Sequence, residues 1–241
     1  MSNPLPTATS TEEAERGAKI AVLPVGSFEQ HGGHLPLATD TLIACIIAKE
    51  VAETYNLLLL SPITISCSHE HAGFAGTVSI SAATLHAVID DIAESLRASG
   101  VERLLIVNGH GGNYVLSNVV QEASISEPRM ALFPVSTDWR KARETAGCTI
   151  RDGHVDMHAG ELETSILLHT MPEVVRASYE TADHEASDRP QLLARGLRGY
   201  TTTGVVGRPS LATAQKGKAI IDVLVSLAGP HLAGMEAASS S

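Results

Sequence analysis

The residues best placed to do chemistry are Glu29, His31, Asp40 and His110, joined by a later run from Asp152 to Ser165 that holds His154, Asp156, His158, Glu161 and Glu163. Glu29 and His31 form an E-x-H pair, and in an extended loop alternate side chains share one face. Gly32 and Gly33 follow at once and let the backbone turn closely around a bound group. Asp40 stands just before an apolar helical stretch, where aspartate is a favoured cap and the helix dipole keeps a carboxylate ionised. Both properties suit a bridging metal ligand. His110 sits in Val107-Asn-Gly-His110-Gly-Gly-Asn113, a glycine-flanked position that is poor for core packing. In the later run the acids suit the first turn of a helix, but His154 and His158 have no capping role there. A neutral or catalytic histidine explains them better.

Carboxylate and imidazole without thiolate is a donor set for Zn²⁺, Mn²⁺ or Fe²⁺. Two such ions bridged by a carboxylate could activate water and polarise a carbonyl, the ingredients of amide hydrolysis. A nearby histidine is then the natural proton shuttle to the leaving nitrogen. Two other readings compete. Gly109-x-Gly111 resembles a phosphate loop, but Tyr114 stands where its third glycine belongs. A non-catalytic metal- or ligand-binding protein is the other, against which the completeness of Glu29, His31, Asp40, His110 and His158 argues.

The elements that must position these residues follow from hydrophobic patterning. Short apolar runs at residues 20–25, 57–60, 104–107 and 131–135 have the length of buried strands. Helical patterns at 41–55, 82–99, 114–123, 162–169 and 214–232 alternate with or follow them. That order predicts an α/β layered fold with a mainly parallel sheet. Glu29-Gln30-His31, Ser68-His69-Glu70-His71 and Asn108-Gly109-His110 then all fall just beyond strand C-termini, where open α/β sheets assemble their sites. Ser10 with Glu13 predicts a capping box and a short helix.

The whole chain bounds the partners. With 241 residues, 44% apolar, one domain over 1–241 is expected, with a loose arm at about 1–10 and a frayed end at about 236–241. Aromatics are only 3%, so the core must come from Val, Ile, Leu and Ala. The net charge of −10 and scattered basic residues argue against nucleic acid. Cys45, Cys67 and Cys148 read as reduced thiols. No stretch reads as a membrane span of roughly 20 apolar residues, and residues 1–16 lack a signal-peptide pattern, so the expected location is the cytoplasm.

Four segments together resemble the creatininase (creatinine amidohydrolase) family: Pro24-Val-Gly-Ser-Phe-Glu29-Gln-His31-Gly, Asp40, Asn108-Gly-His110-Gly-Gly-Asn113 and His158-Ala-Gly-Glu-Leu-Glu-Thr-Ser165. The resemblance runs from about residue 21 to residue 218. It implies a three-layer α/β/α fold, a two-metal centre with zinc favoured over manganese or iron, and a homo-oligomer, often a hexamer. By position it assigns Glu29, Asp40 and His110 to one ion, and His31 with the shared Asp40 and one further glutamate to the other. His158 matches the catalytic histidine and Ser68 a pocket residue. His71, His154 and Trp139, the sole tryptophan, are taken as further substrate-lining residues. Creatinine-cleaving members draw the further glutamate from two residues after the NGH histidine, where this chain has Gly112. Members with glycine there carry an acid in the HAGE segment, so Glu161 is expected as ligand and catalytic partner, with Glu163 structural. The first segment, and Gly204-Val-Val-Gly-Arg-Pro-Ser-Leu-Ala-Thr-Ala214, also resemble the mycofactocin-system branch that trims a small precursor peptide. The substrate implied is thus a small cyclic amide, a formamide or a peptide.

Overall fold

The computed structural model describes residues 5–236; the extreme ends of the two expected loose segments, 1–4 and 237–241, lie outside the described residues. Four parallel strands form one sheet in the order β2-β1-β3-β4: β1 Ile20–Val25, β2 Leu58–Leu59, β3 Arg103–Asn108 and β4 Met130–Phe133. Every residue of β1 is buried, which is why it reads as an unbroken apolar run rather than an alternating one. Period-two alternation still divides it. Ala21, Leu23 and Val25 join Leu104 and Ile106 in one core, packed by Leu85 and Ile89 of α3 (Ala82–Ala98) and Leu116 and Val119 of α4 (Val115–Ala123). Ile20, Val22, Leu105, Val107 and Phe133 face the other core, with α2 (Thr39–Tyr55), α6 (Glu161–Thr170) and α8 (Ala214–Glu236). The sheet is therefore sandwiched between two helical layers.

Local chemistry sets the helix limits. The first helix, α1 (Ser10–Arg16), is capped by Thr9 and Glu12, one residue earlier than the expected Ser10 and Glu13. It begins inside the arm expected at about 1–10. Ser81 Oγ accepts from Thr84 N–H at the start of α3, and Asn56 ends α2 in the left-handed region. A further helix, α5 (Ser136–Thr145), carries Arg140, Lys141 and Arg143, a basic grouping that reads as a solvated helix face, and lies outside the apolar helical patterns. A short helix, α7 (Leu192–Arg195), precedes α8. The long α8 is apolar enough to cross a membrane by length and composition, but Ile220, Leu224, Ala228 and Leu232 are buried in the core.

The register places the site. Val25 pairs with Asn108, so the loops leaving the two central strands emerge side by side. The N-terminus of α2 lies against the second of them: a Cβ on Gly109 would come within 2.3 Å of Asp40 O. Only glycine permits that approach.

Candidate metal centre

Three segments after strand ends and two helix N-termini converge. Glu29 and His31 come from the loop after β1, Asp40 from the first turn of α2, and His110 from the loop after β3. Glu70 and His71 sit in the 3₁₀ turn His69–His71. His158 precedes α6, whose first turn carries Glu163. Glu29, His31, Asp40, His71, His110, His158 and Ser68 are all buried. Ligand atoms of Glu29, Asp40 and His110 lie within 4.8 Å of one another, as do those of His31, Asp40 and Glu163. Asp40 belongs to both groups. A third grouping joins Glu29, His31 and His158.

Glu29 tests whether a cation fits. Both of its carboxylate oxygens are buried and accept no hydrogen bond. Yet His71 Nε2, His110 Nδ1 and His158 Nδ1 stand 3.1, 3.2 and 3.8 Å from Oε1. Nitrogens crowd the carboxylate without aiming a proton at it, and a buried acceptor left that way calls for an ion. The outer nitrogens support the same conclusion. His31 Nδ1–H donates to Glu29 O at 3.1 Å and His110 Nε2–H to Cys67 O at 2.9 Å. Each then turns its other nitrogen toward Asp40, at 3.0 and 3.1 Å, so the outer nitrogens are anchored on backbone carbonyls as in metal-ligating histidines.

The electrostatics show the demand for positive charge. Burial pushes the Glu29 carboxyl up to about 8, with His110 opposing and Asp40 adding to the rise. Burial likewise lifts Glu163 to about 7. Burial would pull His31 down, but the Asp40 carboxylate outweighs it and raises the ring to about 9. For Asp40, burial would raise the carboxyl, but His31 and His110 hold it well below the usual carboxylate range. His158 behaves differently: burial and the nearby His31 push it well below the ordinary histidine value. Its Nε2–H donates to Gln30 O at 2.6 Å, leaving an unprotonated Nδ1 that faces Glu29.

One expected ligand lies elsewhere. Glu161 is buried, but its carboxylate accepts from Thr149 N–H at 2.9 Å, Ile150 N–H at 3.0 Å and Lys216 Nζ at 2.5 Å. It takes no part in the metal groupings. The reason is helical: successive residues are about 100° apart, so two positions along turns a side chain by roughly 200°. Glu163, expected as structural, is the residue that faces His31. Its Oε2 also accepts from Ala159 N–H at 2.6 Å. Glu70 was not singled out either; its Oε1 is 3.2 Å from His110 Nε2 and fills the space a Cβ on Gly112 would need, 1.7 Å away. The Ser-His-Glu-His motif was the available signal.

The expected pocket residues divide. The Ser68 hydroxyl is buried beside Glu29, and His71 touches Glu29. Trp139 and His154 line a cleft of about 990 Å³ that reaches His110 and Glu163. His154 is exposed at its rim, its Nε2–H donating to Ser187 O.

His34 supports the centre from behind. Its Nε2–H donates to Ala159 O at 3.0 Å, while Ala159 itself holds φ 53°, unusual for a non-glycine residue. Burial pushes this imidazole down to about 4, with Ala159 O opposing and His31 adding to the fall. The unfolded chain gains that proton near pH 6.5, so the stability tied to neutral His34 is present above 6.5 and lost as pH falls toward 4. The raised Glu29 and Glu163 act with opposite slope, so the comparison must be with His34→Gln. Urea unfolding should show the wild-type advantage shrinking by about 3 kcal/mol across that window. A pH-independent difference would refute the assignment.

The chain is similar to known proteins over most of its length. The family model described as Creatininase, creatinine amidohydrolase, matches residues 6–228. A mycofactocin precursor peptide peptidase of Mycobacterium ulcerans (strain Agy99) is 37% identical over 233 residues, covering 92% of this chain and 87% of the relative. A creatinine amidohydrolase of Pseudomonas putida is 27% identical over 226 residues, covering 87% and 86%. A crystal structure of creatinine amidohydrolase (creatininase) matches with a TM-score of 0.79 at 25% identity, covering 93% of this chain and 94% of that one.

Proposed function

The chain belongs to the creatininase (creatinine amidohydrolase) family, and we propose that it cleaves an amide bond with two divalent ions. Glu29, Asp40 and His110 would hold one ion, and His31, Asp40 and Glu163 the other. The observation that carries this reading is Glu29, whose buried oxygens accept no hydrogen bond amid three imidazole nitrogens. Oxygen and nitrogen donors without thiolate suit Zn²⁺ or Mn²⁺. Bound there, the ions supply a water of lowered pKa and polarise the scissile carbonyl.

The chain's own residues complete the reaction. His158 accepts the proton of the attacking water on Nδ1, since its Nε2–H is fixed on Gln30 O. The water oxygen bonds to the carbonyl carbon, the C–N bond breaks, and His158 returns the proton to the leaving nitrogen. Ala159 N–H holds Glu163 in place, so the turn that carries the base also orients a ligand.

A second reading, cleavage of a peptide, rests on the cleft. At about 990 Å³ it is at the upper end of the range that holds drug-sized ligands, with Tyr114, Trp139, Arg140 and Arg151 along its walls. The peptidase named above is the corresponding relative. The experiment is an amide panel (creatinine, an N-formyl arylamine and peptides of graded length) on protein reloaded with Zn²⁺ or Mn²⁺. Hydrolysis that stops with chelator and returns with the ion is expected. A protein that binds the ions and hydrolyses no member would instead be a ligand-binding homologue.

A further inference from the structure

The side-chain amide of Gln30 has one allowed orientation. Its Oε1 accepts from Gly32 N–H at 3.0 Å, and its Nε2–H donates to Gly204 O at 3.1 Å. Flipping it would set oxygen against oxygen and N–H against N–H. Gly204 presses close, with φ 88° and a would-be Cβ only 1.7 Å from Gln30 Oε1, so no other residue leaves this arrangement intact. The same Gln30 Nε2 lies 3.0 Å from His71 Nδ1. An amide N–H can only donate, so His71 Nδ1 must accept. A neutral imidazole carries one proton, and in His71 it must be on Nε2.

The other three histidines around the carboxylates have the opposite arrangement. His31, His110 and His158 donate outward to Glu29 O, Cys67 O and Gln30 O, and a carbonyl oxygen can only accept. His31 and His110 turn the other nitrogen to Asp40 and His158 turns Nδ1 toward Glu29, whereas the inward nitrogen of His71 is fixed as an N–H by the Gln30 amide. Its ring centroid is 4.4 Å from that of His158, the proposed base. Its Nε2 is 3.1 Å from Glu29 Oε1, yet that oxygen accepts no hydrogen bond, so the proton is not engaged with the carboxylate.

We propose that His71 is a fixed hydrogen-bond donor to the substrate, its Nε2–H meeting the carbonyl oxygen of the scissile amide, with Gln30 as the positioning residue that keeps the proton there. This rests on the amidohydrolase reading. As water adds to the carbonyl carbon, negative charge grows on that oxygen and the His71 hydrogen bond strengthens, with no proton changing owner. His71 is by the same logic excluded from the ligand set, because a protonated nitrogen has no lone pair to give.

Two measurements test this separately. Long-range ¹H–¹⁵N correlation spectra of ¹⁵N-histidine protein, with and without Zn²⁺, should show His71 protonated on Nε2 and bare on Nδ1 in both states. His71→Gln, whose missing signals assign the resonance, keeps an N–H donor near the same place. In kinetics, His71→Leu should lower kcat by about 10²-fold while Zn²⁺ content stays at the wild-type value, and His71→Gln should recover at least about tenfold of that loss. Gln30→Glu, a carboxylate facing Nδ1, should move the proton to Nδ1 and lower kcat with it. A wild-type His71 protonated on Nδ1, a Zn²⁺-dependent loss of the Nε2 proton, or a His71→Leu protein with wild-type kcat would overturn the proposal. Failure of every amide to react would instead remove the hydrolase reading, while the spectra still decide the tautomer.

Discussion

Asp40→Asn is expected to cost about 10³-fold or more in kcat and to strip both ions from the chain. Asp40 is the residue shared by the Glu29–Asp40–His110 and His31–Asp40–Glu163 groupings. It is 1% exposed and sits between His31 and His110. Metal stabilisation of the charge that develops on the substrate is worth several kcal/mol, and each 1.4 kcal/mol is about tenfold in rate. Asparagine keeps the shape, and Ser27 Oγ–H, which donates to Asp40 Oδ2 at 2.6 Å, retains an oxygen acceptor. The fold should therefore persist while the centre is lost. Circular dichroism alongside kcat and metal analysis would check this, and a fully loaded, fully active Asp40→Asn protein would sink it.

The neighbouring glutamates of α6 should separate two kinds of damage. Glu163→Gln is expected to lose one of the two ions and about 10²- to 10³-fold in kcat, the range for removing a single charge-stabilising group, with stability little changed. Glu161→Ala should keep both ions. It leaves Lys216, 19% exposed at its side chain, without its carboxylate, and frees Thr149 N–H and Ile150 N–H. Breaking such a buried pair costs about 3 kcal/mol, or about 10 °C in Tm for a chain of this size. Thermal unfolding and metal analysis of both variants decide the matter. If Glu161→Ala lost an ion and Glu163→Gln did not, the ligand assignment would be reversed.

This pair also marks where the sequence stopped being readable. The HAGELE run shows that an acid near a helix start belongs to the site, but not which side of α6 faces the carboxylates. That depends on the Lys216 of α8 that claims Glu161, a contact 55 residues away in the chain. The strands were legible because burial on both faces leaves continuous apolar runs; β1 was read at its observed limits, whereas only Leu58–Leu59 of the expected second run pairs in the sheet. Helix α5 shows no apolar stripe, only a basic face at Arg140, Lys141 and Arg143, because Asp, Arg, Lys and Glu dominate Ser136–Thr145 and only Asp138, Ala142 and Arg143 are buried in it. Its buried Arg143 is compensated by Asp156 at 2.5 Å, a pairing no local pattern announces. The capping box slipped by one residue because Thr9-Ser10 and Glu12-Glu13 offer the same spacing twice. Gln30 carried no chemical signal of its own. Its importance lies in Gly204 and His71, brought to it by the fold.

The most direct test of the central claim is a calorimetric titration of chelator-treated protein with Zn²⁺ or Mn²⁺, run beside Asp40→Asn. Two equivalents per wild-type chain and none in the variant is the predicted result. A folded wild-type chain that takes up neither ion, or an Asp40→Asn chain that still takes up two, would contradict a binuclear centre built around Asp40.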